Sequence, residues 1–139
     1  MMKVLIDTNI IMDIALERSP FYNHAIILFQ KIHDKQLQGS ISASTVTDIF
    51  YLVQREKGRQ TATCFLKKLI KVIDIIGVDK DTIVNALQLE WNDFEDAVQA
   101  QVALENEIDI IITRNAKDFQ EIKNIKVFSP VDFINFLPS

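Results

Sequence analysis

Four aspartates, widely separated along the chain, could share one chemical task if the fold brought them together. They are Asp7, Asp48, Asp96 and Asp118. Each lies at or soon after the end of an apolar run, or at the start of a helical pattern. Carboxylates packed together repel one another, and their pKa values rise unless a cation neutralises them. Because Mg²⁺ and Mn²⁺ prefer oxygen ligands, the set predicts a site for one of these ions and not for zinc.

The elements that must position these acids are predicted by hydrophobic periodicity. Short apolar or β-branched runs predict strands at 3–7, 39–42, 72–76, 108–113 and 126–129. Their near-continuous hydrophobicity indicates strands covered on both faces. Helical patterns lie at 8–17, 21–36, 44–57, 61–71, 80–90, 94–106 and 131–137. This alternation predicts a parallel sheet, whose sites form outside the carboxyl ends of the strands. The four aspartates are therefore expected near one edge of the sheet.

The turn after the first apolar run admits two roles. Thr8 and Asn9 would cap the next helix, because such side chains accept backbone N–H groups at a helix start. Asp7 would alternatively be presented at the open end of the sheet, with Asn9 donating a hydrogen bond to its carboxylate. The two roles are compatible, since the turn that starts the helix would also present the carboxylate.

The acids at 93–96 admit a similar pair of interpretations. All of them would meet the positive end of a helix dipole. Because small alanines let this helix approach the sheet, Asp93 or Glu95 is expected as the cap and Asp96 as the inward-facing ligand. At another strand end, Thr113 is expected to hydrogen-bond an acid or a phosphate. Asp13 is expected to be a helix-start or surface acid.

Length and composition limit the class of protein. The 139 residues suit one domain, 1–139, and 48% hydrophobic with 24% charged residues is typical of a soluble globular protein. The single cysteine, Cys64, excludes an internal disulfide framework and is expected to be buried. No targeting segment is evident, and no apolar run approaches the roughly 20 residues that span a bilayer. These features predict a cytoplasmic protein with no membrane contact.

The net charge of −4 is unevenly distributed. Residues 55–71 hold six basic residues against one acid, whereas residues 90–107 hold six acids and no Lys or Arg. One interpretation is two solvated helix faces of opposite sign. The other is a cation-binding acidic cleft beside a surface that attracts phosphate. Trp91, Phe94 and Phe119 could stack on bases, but aromatic residues at this density are more often core.

Four motifs, in this order, carry a resemblance to a known family. They are LIDTNIIMD at 5–13, ISASTVTDIFY at 41–51, DFEDAVQAQVA at 93–103 and IITRNAKDF at 111–119. With them the chain resembles the PIN-domain ribonucleases over essentially its whole length, in particular small proteins similar to the VapC toxins of toxin–antitoxin pairs. The resemblance implies a three-layer α/β/α sandwich around a central parallel sheet of four or five strands.

The resemblance also implies an activity, namely metal-dependent hydrolysis of RNA phosphodiester bonds by an endoribonuclease. Asp7, Asp48, Asp96 and Asp118 would be the catalytic acids that hold Mg²⁺ or Mn²⁺. Asp48 lies where the family often has Glu, and either Asn115 or Asp118 would fill the fourth position. The supporting residues would be Asn9, Asp93, Thr113 and Asn115. From the charge distribution, Arg55, Lys57 and Arg59 are expected to contact RNA. Arg114 is expected to pair with a phosphate of the RNA or with an acid, or to face solvent. The implied partners are RNA, a cognate antitoxin and a second copy of the chain as a homodimer.

Two other functions compete with this one. A catalytically weak PIN-fold protein would keep the fold and bind RNA without cutting it, and the shorter Asp48 keeps that alternative open. A two-component receiver domain is also a small α/β protein with an acidic Mg²⁺ pocket. Receivers, however, carry adjacent acids after the first strand and a lysine before a proline after the last. Here the first strand ends in IDTN, and Ser129 precedes Pro130.

Overall fold

The computed structural model describes residues 1–119 and 122–138. The strands of this part of the chain are β1 (Lys3–Ile6), β2 (Gln38–Ser42), β3 (Asp74–Ile76), β4 (Ile110–Ile112) and β5 (Lys126–Phe128). Its α-helices are α1 (Thr8–Ala15), α2 (Tyr22–His33), α3 (Ala43–Lys57), α4 (Arg59–Leu69), α5 (Lys80–Gln88), α6 (Phe94–Glu105) and α7 (Pro130–Phe136). A short 3₁₀ helix, Ala116–Phe119, follows β4.

The five strands form one parallel sheet in the order β3-β2-β1-β4-β5. The central strand β1 pairs with β2 on one side and with β4 on the other, so that Leu5 lies opposite Ser40 and Ile111. The chain builds the sheet outward from β1 in one direction through β2 and β3, and then in the other through β4 and β5. This order places a topological switch point between β1 and β4, where open α/β sheets form their sites.

Alternate residues of the central strands point to opposite faces, and each face is covered by helices. Val4 and Ile6 join a core cluster with α1, α2, α3, α4 and α7, whereas Leu5 joins a second cluster with α5 and α6. Residues 4–6 of β1 and all of β4 are buried, and both stretches are continuous apolar runs in the sequence. The result is a three-layer α/β/α sandwich, which confirms the predicted fold class.

Burial at one edge of the sheet differs from the prediction. The edge strand β3 leaves Asp74 and Ile75 exposed, so the expectation of strands covered on both faces is wrong there. Cys64 is also exposed, contrary to its expected burial. Ala62 and Leu69 are the buried residues of α4. Cys64 lies two positions after Ala62 and therefore points to the opposite side of the helix. In the described residues no helix is long and apolar enough to cross a membrane.

Candidate active site

A cleft of about 340 Å³ opens at the carboxyl end of the sheet. It lies where β1 ends and where α1, α3 and α6 begin. Half of its lining residues are acidic, and the full set is Asp7, Thr8, Asn9, Asp48, Tyr51, Leu52, Asp93, Glu95, Asp96 and Asn115. Three of the four predicted catalytic aspartates thus lie in one cleft. Its position at the switch point follows from the strand order.

Asp7 lies at the base of this cleft and is 3% exposed. Its backbone N–H donates to the carbonyl of Ile112 at 3.0 Å, which extends the β1–β4 pairing by one residue. Its carboxylate oxygens accept one hydrogen bond each, from Gln99 Nε2 at 2.8 Å and from Thr113 Oγ1 at 2.7 Å. Both donors are neutral, so they orient the carboxylate without cancelling its charge.

The partners of Asp7 match the sequence analysis only in part. Thr113 makes the bond to an acid that was expected of it. Asn9 lines the cleft but makes no hydrogen bond to Asp7, since among the described residues Gln99 fills that place. The prediction of Thr8 or Asn9 as the helix cap is wrong, because Asp7 occupies the N-cap position of α1 and its side chain makes no capping bond. Gln99 was missed, although it lies one turn after Asp96 on a helix expected to face inward.

A buried polar network joins the three helices around the cleft. Thr8 Oγ1 lies 3.1 Å from the Thr45 hydroxyl and 3.1 Å from Glu95 Oε1, which links α1 to α3 and α6. Gln99 Nε2 also donates to Glu95 Oε1 at 3.4 Å. The Gln99 Oε1 atom is buried and has no hydrogen-bond partner among the residues that the structure describes. This network fixes the walls of the cleft relative to one another.

The first turn of α6 concentrates negative charge. Asp93 is the N-cap, and its Oδ1 accepts from the backbone N–H of Asp96 at 3.1 Å. Asp96 is 7% exposed. Its burial, followed by repulsion from Asp93, Asp7, Asp118 and Glu95, raises the pKa of Asp96 to about 7. Asp93 therefore caps the helix as expected, while Asp96 faces the other acids.

Glu95 is a further acid of the cleft, and the sequence analysis considered it only as a cap. Burial of the carboxyl group raises the pKa of Glu95, and the hydrogen bond from Thr8 lowers it by less. Repulsion from Asp7, Asp48 and Asp93 raises that pKa further. The residue as a whole is exposed, so burial concerns its carboxyl end, where the contacts with Thr8 and Gln99 are made.

The remaining predicted acids lie at the rim. Asp48 is exposed on α3 and lines the cleft. Asn115 lines the cleft and donates its backbone N–H to Thr113 Oγ1 at 3.1 Å. Asp118 is exposed in the 3₁₀ helix and is not part of the lining, but it lies close enough to Asp96 to raise the pKa of that carboxyl. Both candidates for the fourth position are thus at the border of the cleft.

The lining residues fit a divalent cation in chemistry. They supply carboxylate oxygens. Burial of Asp96, followed by repulsion from the neighbouring acids, raises its pKa, and a bound cation would offset both effects. In residues 1–119 and 122–138, however, no three His, Cys, Asp or Glu side chains are arranged to hold a metal ion as they stand. The cleft thus offers donor atoms that suit a divalent cation.

The predicted RNA-binding residues fall into two groups. Arg55 and Lys57 end α3, Arg59 begins α4, and all three are exposed beyond the cleft. Arg114 instead contacts Asp13, with Nη2 donating to Oδ1 at 3.2 Å. The structure therefore leaves the first group open to a ligand and engages Arg114 within the protein.

The Asp13–Arg114 contact is a partly buried ion pair. Arg114 Nε lies 2.9 Å from Asp13 Oδ2 as an electrostatic contact, because the N–H is not directed for a hydrogen bond. The guanidinium also lies 3.9 Å from the centroid of the Phe21 ring. Burial raises the pKa of Asp13, and the charges of Arg114 and Arg18 lower it by less. Asp13 is 1% exposed, so its prediction as a helix-start or surface acid is wrong.

The aromatic residues separate into core and surface. Phe119 is buried, and Trp91 packs edge-on against it with centroids 5.7 Å apart, which confirms the core interpretation for this pair. Phe94 is 42% exposed and does not line the cleft. Tyr51, which the sequence analysis did not single out, lines the cleft and is 63% exposed. Its position one turn after Asp48 was the available signal.

Comparison with known proteins agrees with this architecture. Residues 3–117 match the family model of the PIN domain. The chain is 23% identical over 136 residues to Ribonuclease VapC1 of Aquifex aeolicus (strain VF5), covering 94% of this chain and 92% of that protein. A toxin–antitoxin complex from Klebsiella pneumoniae contains a chain that is 25% identical, with a TM-score of 0.68 and coverage of 91% and 97%. Mycobacterium tuberculosis VapC20, a sarcin-ricin loop cleaving toxin, is 15% identical, with a TM-score of 0.70 and coverage of 88% and 98%.

Proposed function

This chain belongs to the PIN-domain family, and from that premise we propose that it is a divalent-metal-dependent endoribonuclease. The observation that supports this activity most is the acidic cleft at the switch point, which holds Asp7, Asp48 and Asp96 together. The name of its relative from Aquifex aeolicus, a ribonuclease, supports RNA as the substrate. We further propose that residues 1–139 act as one domain.

The acids of the cleft have a defined task in this proposal. Asp7, Asp48 and Asp96 would hold Mg²⁺ or Mn²⁺, with Asn115 or Asp118 completing the site at its rim. A bound divalent ion supplies Lewis-acid chemistry, which favours attack by water on the phosphodiester and offsets the charge of the transition state. No Ser, Cys or His nucleophile is required of this chain for such a reaction.

The surrounding residues prepare Asp7 for that task. Gln99 and Thr113 restrict the orientation of its carboxylate, so less conformational freedom is lost when a ligand binds. Because both donors are neutral, the charge of Asp7 stays available to a cation. Thr8 holds Glu95 in the wall of the cleft, which keeps a further negative group beside the same position. The basic residues Arg55, Lys57 and Arg59 would attract the RNA backbone.

The test is an RNA cleavage assay with mixed RNAs, in Mg²⁺, in Mn²⁺ and in chelator. The wild type and the variants Asp7→Asn, Asp96→Asn and Asp132→Asn are compared. Asp132 is an exposed acid in the first turn of α7, so its variant removes the same charge away from the cleft. We expect cleavage by the wild type and Asp132→Asn in either metal, and loss of cleavage in the other two variants and in chelator. Equal cleavage by all four proteins would contradict the proposal.

We also propose that the chain is the toxin of a toxin–antitoxin pair in the cytoplasm. This role is supported by its likeness to the toxin–antitoxin complex from Klebsiella pneumoniae. Inducing the gene alone in a bacterial host should arrest growth, and the Asp7→Asn variant should not. Unimpaired growth with a protein that cleaves RNA in vitro would remove the toxin role and keep the nuclease. A homodimer is proposed as its assembly, to be measured by light scattering.

A second candidate function is favoured by one observation. Asp48 is exposed and stands where the family often has the longer Glu. A catalytically weak RNA-binding protein would show RNA binding without metal-dependent cleavage. The variant Asp48→Glu would then restore cleavage. The receiver-like interpretation is wrong, because the chain belongs to the PIN-domain family.

A further inference from the structure

Helix α3 carries an exposed stripe that leads out of the acidic cleft. Asp48 and Tyr51 both line the cleft, and residues three or four positions apart are neighbours on a helix surface. Arg55 follows Tyr51 by one further turn, and its guanidinium carbon lies 5.9 Å from the centroid of the Tyr51 ring. The stripe thus presents an acid, an aromatic ring and a cation in succession, over a helix length of about 10 Å.

The exposure of Tyr51 is not explained by packing. The ring is 63% exposed, and in the described residues it belongs to neither of the two core clusters. Its neighbours Phe50 and Leu52 pack against the core instead. Arg55 covers part of the ring, and such a cation–π contact favours one orientation of the aromatic side chain. Tyr51 is therefore an oriented and largely free aromatic surface beside the acids.

We propose that Tyr51 and Arg55 form a nucleobase subsite next to the acidic cleft. An unpaired base of the RNA stacks on the Tyr51 ring, and the phosphate of a neighbouring nucleotide pairs with Arg55. This inference rests on the proposed function, in which the cleft receives the phosphodiester that is cut. Proteins that bind single strands combine such aromatic platforms with a basic groove along the backbone.

The surroundings of Tyr51 favour RNA over a protein partner. The side chains one turn before and after it on the exposed surface are Thr47, Asp48, Gln54 and Arg55, and all four are polar or charged. A docking site for an apolar protein surface would need apolar neighbours around the ring. An RNA strand instead needs one flat surface for a base and a cation for the next phosphate. Lys57 and Arg59 continue the positive charge beyond Arg55.

Binding of a defined probe tests the subsite without requiring cleavage. The probe is a fluorescein-labelled oligoadenylate RNA of about ten nucleotides, and the matched control is a ribose-phosphate chain of the same length without bases. Affinities are measured by fluorescence anisotropy with Mg²⁺ in the Asp7→Asn background. The ring variants are Tyr51→Phe, which keeps the aromatic face, and Tyr51→Leu, which keeps an apolar side chain without it. Leu87→Ala, at an exposed apolar residue of α5, is the surface control.

The proposal predicts a base-dependent loss. Tyr51→Leu should weaken binding of oligoadenylate on the order of tenfold and leave binding of the abasic chain unchanged. Tyr51→Phe and Leu87→Ala should bind like the parent protein. Arg55→Gln should weaken both probes alike and reduce the salt dependence of binding, because one phosphate contact is lost.

Several results would overturn the subsite. These are an equal loss for both probes in Tyr51→Leu, no loss at all, or the same loss in Tyr51→Phe. A changed oligomeric state in size-exclusion chromatography, with RNA binding intact, would assign Tyr51 to a protein interface instead. The outcome is separate from that of the proposed function. If the wild type cleaves RNA but Tyr51→Leu shows no base-dependent loss of binding, the subsite is removed and the nuclease is kept. If the loss is base-dependent but the wild type does not cleave RNA, the nuclease is removed and the binding site is kept.

Discussion

Two buried aspartates at opposite ends of helix α1 have opposite kinds of partner. Asp7, 3% exposed, accepts hydrogen bonds from the neutral donors Gln99 and Thr113. Asp13, 1% exposed, lies against the guanidinium of Arg114. Burial is therefore nearly the same for the two carboxylates. Only the charge of the partner differs.

This difference separates a group available for chemistry from a structural one. A neutral donor orients a carboxylate and leaves its negative charge to attract a cation, whereas a guanidinium neutralises it. The Asp13–Arg114 pair ties α1 to the segment after β4, the same segment in which Thr113 holds Asp7. The Asp13–Arg114 pair thus supports the segment that positions Asp7, the proposed metal ligand. Four experiments test whether the two aspartates differ in this way.

The largest effect is expected from removing charge at the two aspartates in turn. Asp7→Asn should lower kcat/KM for RNA cleavage by roughly 100- to 1000-fold, because several kcal/mol of transition-state stabilisation are lost. Its free energy of unfolding in chelator should change by no more than about 1 kcal/mol. Asp13→Asn should keep the cleavage rate per folded molecule. Urea unfolding measures the free energy of unfolding, and single-turnover kinetics measure the cleavage rate. Loss of cleavage in folded Asp13→Asn would contradict a purely structural role for Asp13.

The second effect is a pH dependence of stability in the metal-free protein. The pKa of Asp96 is raised from 3.8 to about 7, so between these values the folded state holds a proton that the unfolded state has released. The free energy of unfolding should therefore fall as pH rises through this window. We expect a fall of about 2–3 kcal/mol, less than the full shift implies, because Asp93 and Asp118 are exposed and screened.

Urea unfolding across this pH range, with chelator and with Mg²⁺, measures that dependence. Asp96→Asn should make the curve shallower, and Asp132→Asn should retain the slope of the parent protein. Mg²⁺ should also make the curve shallower, since a cation favours the ionised carboxylate. Burial raises the pKa of Asp13 as well, so a slope in the same direction should persist in Asp96→Asn, reduced in size. A curve that rises with pH in chelator would contradict the assignment of Asp96.

The third effect concerns stability of the structural pair. Arg114→Met should destabilise the protein by about 2 kcal/mol, because it leaves the buried Asp13 with Arg18 at 3.9 Å as its ionic contact. The value is below that of a fully buried pair, since Arg114 is 26% exposed. The double variant Asp13→Asn with Arg114→Met should recover part of the loss. A loss of RNA affinity that the double variant does not recover would show that Arg114 also contacts RNA, as the sequence analysis predicts.

The smallest effect is expected at the neutral donors. Thr113→Val and Gln99→Met keep the side-chain size and remove one hydrogen bond each from Asp7, worth about 1 kcal/mol. Cleavage should fall on the order of tenfold, and the metal concentration for half-maximal rate should rise. Metal titrations of the cleavage rate measure this. Unchanged titration curves in both variants would show that Asp7 needs no neutral donors.

Most of the fold was predictable because its signals are local. Helices and strands lie within a few residues of the predicted ranges, since periodicity reflects which face of each segment is buried. The exposure of Ile75 was not predictable in this way, because an edge strand and a central strand share the same apolar composition. The exposure of Cys64 was not predictable for a related reason. Apolar residues do not by themselves show which side of α4 faces the core, and Cys64 is on the exposed side.

The candidate site was predictable at the backbone level. Parallel strands place their carboxyl ends at one edge, so Asp7, Asp48 and Asp96 could be expected in one place, and the structure brings them to one cleft. Gln99 and Tyr51 were not predictable, because Gln and Tyr are common residues in amphipathic helices and their types alone indicate no role. Only their contacts distinguish them.

The sequence by itself determined the order of the elements, the parallel sheet and the acids at its carboxyl edge, because these follow from periodicity and chain connectivity. The tertiary structure sets which aspartate has neutral hydrogen-bond partners and which one is ion-paired. Gln99 and Thr113 reach Asp7, and Arg114 reaches Asp13, from distant parts of the chain. Such partners depend on the packing of α1 against α6 and the segment after β4. Whether each carboxylate faces a neutral or a charged partner is a consequence of that packing, so local sequence patterns do not predict it.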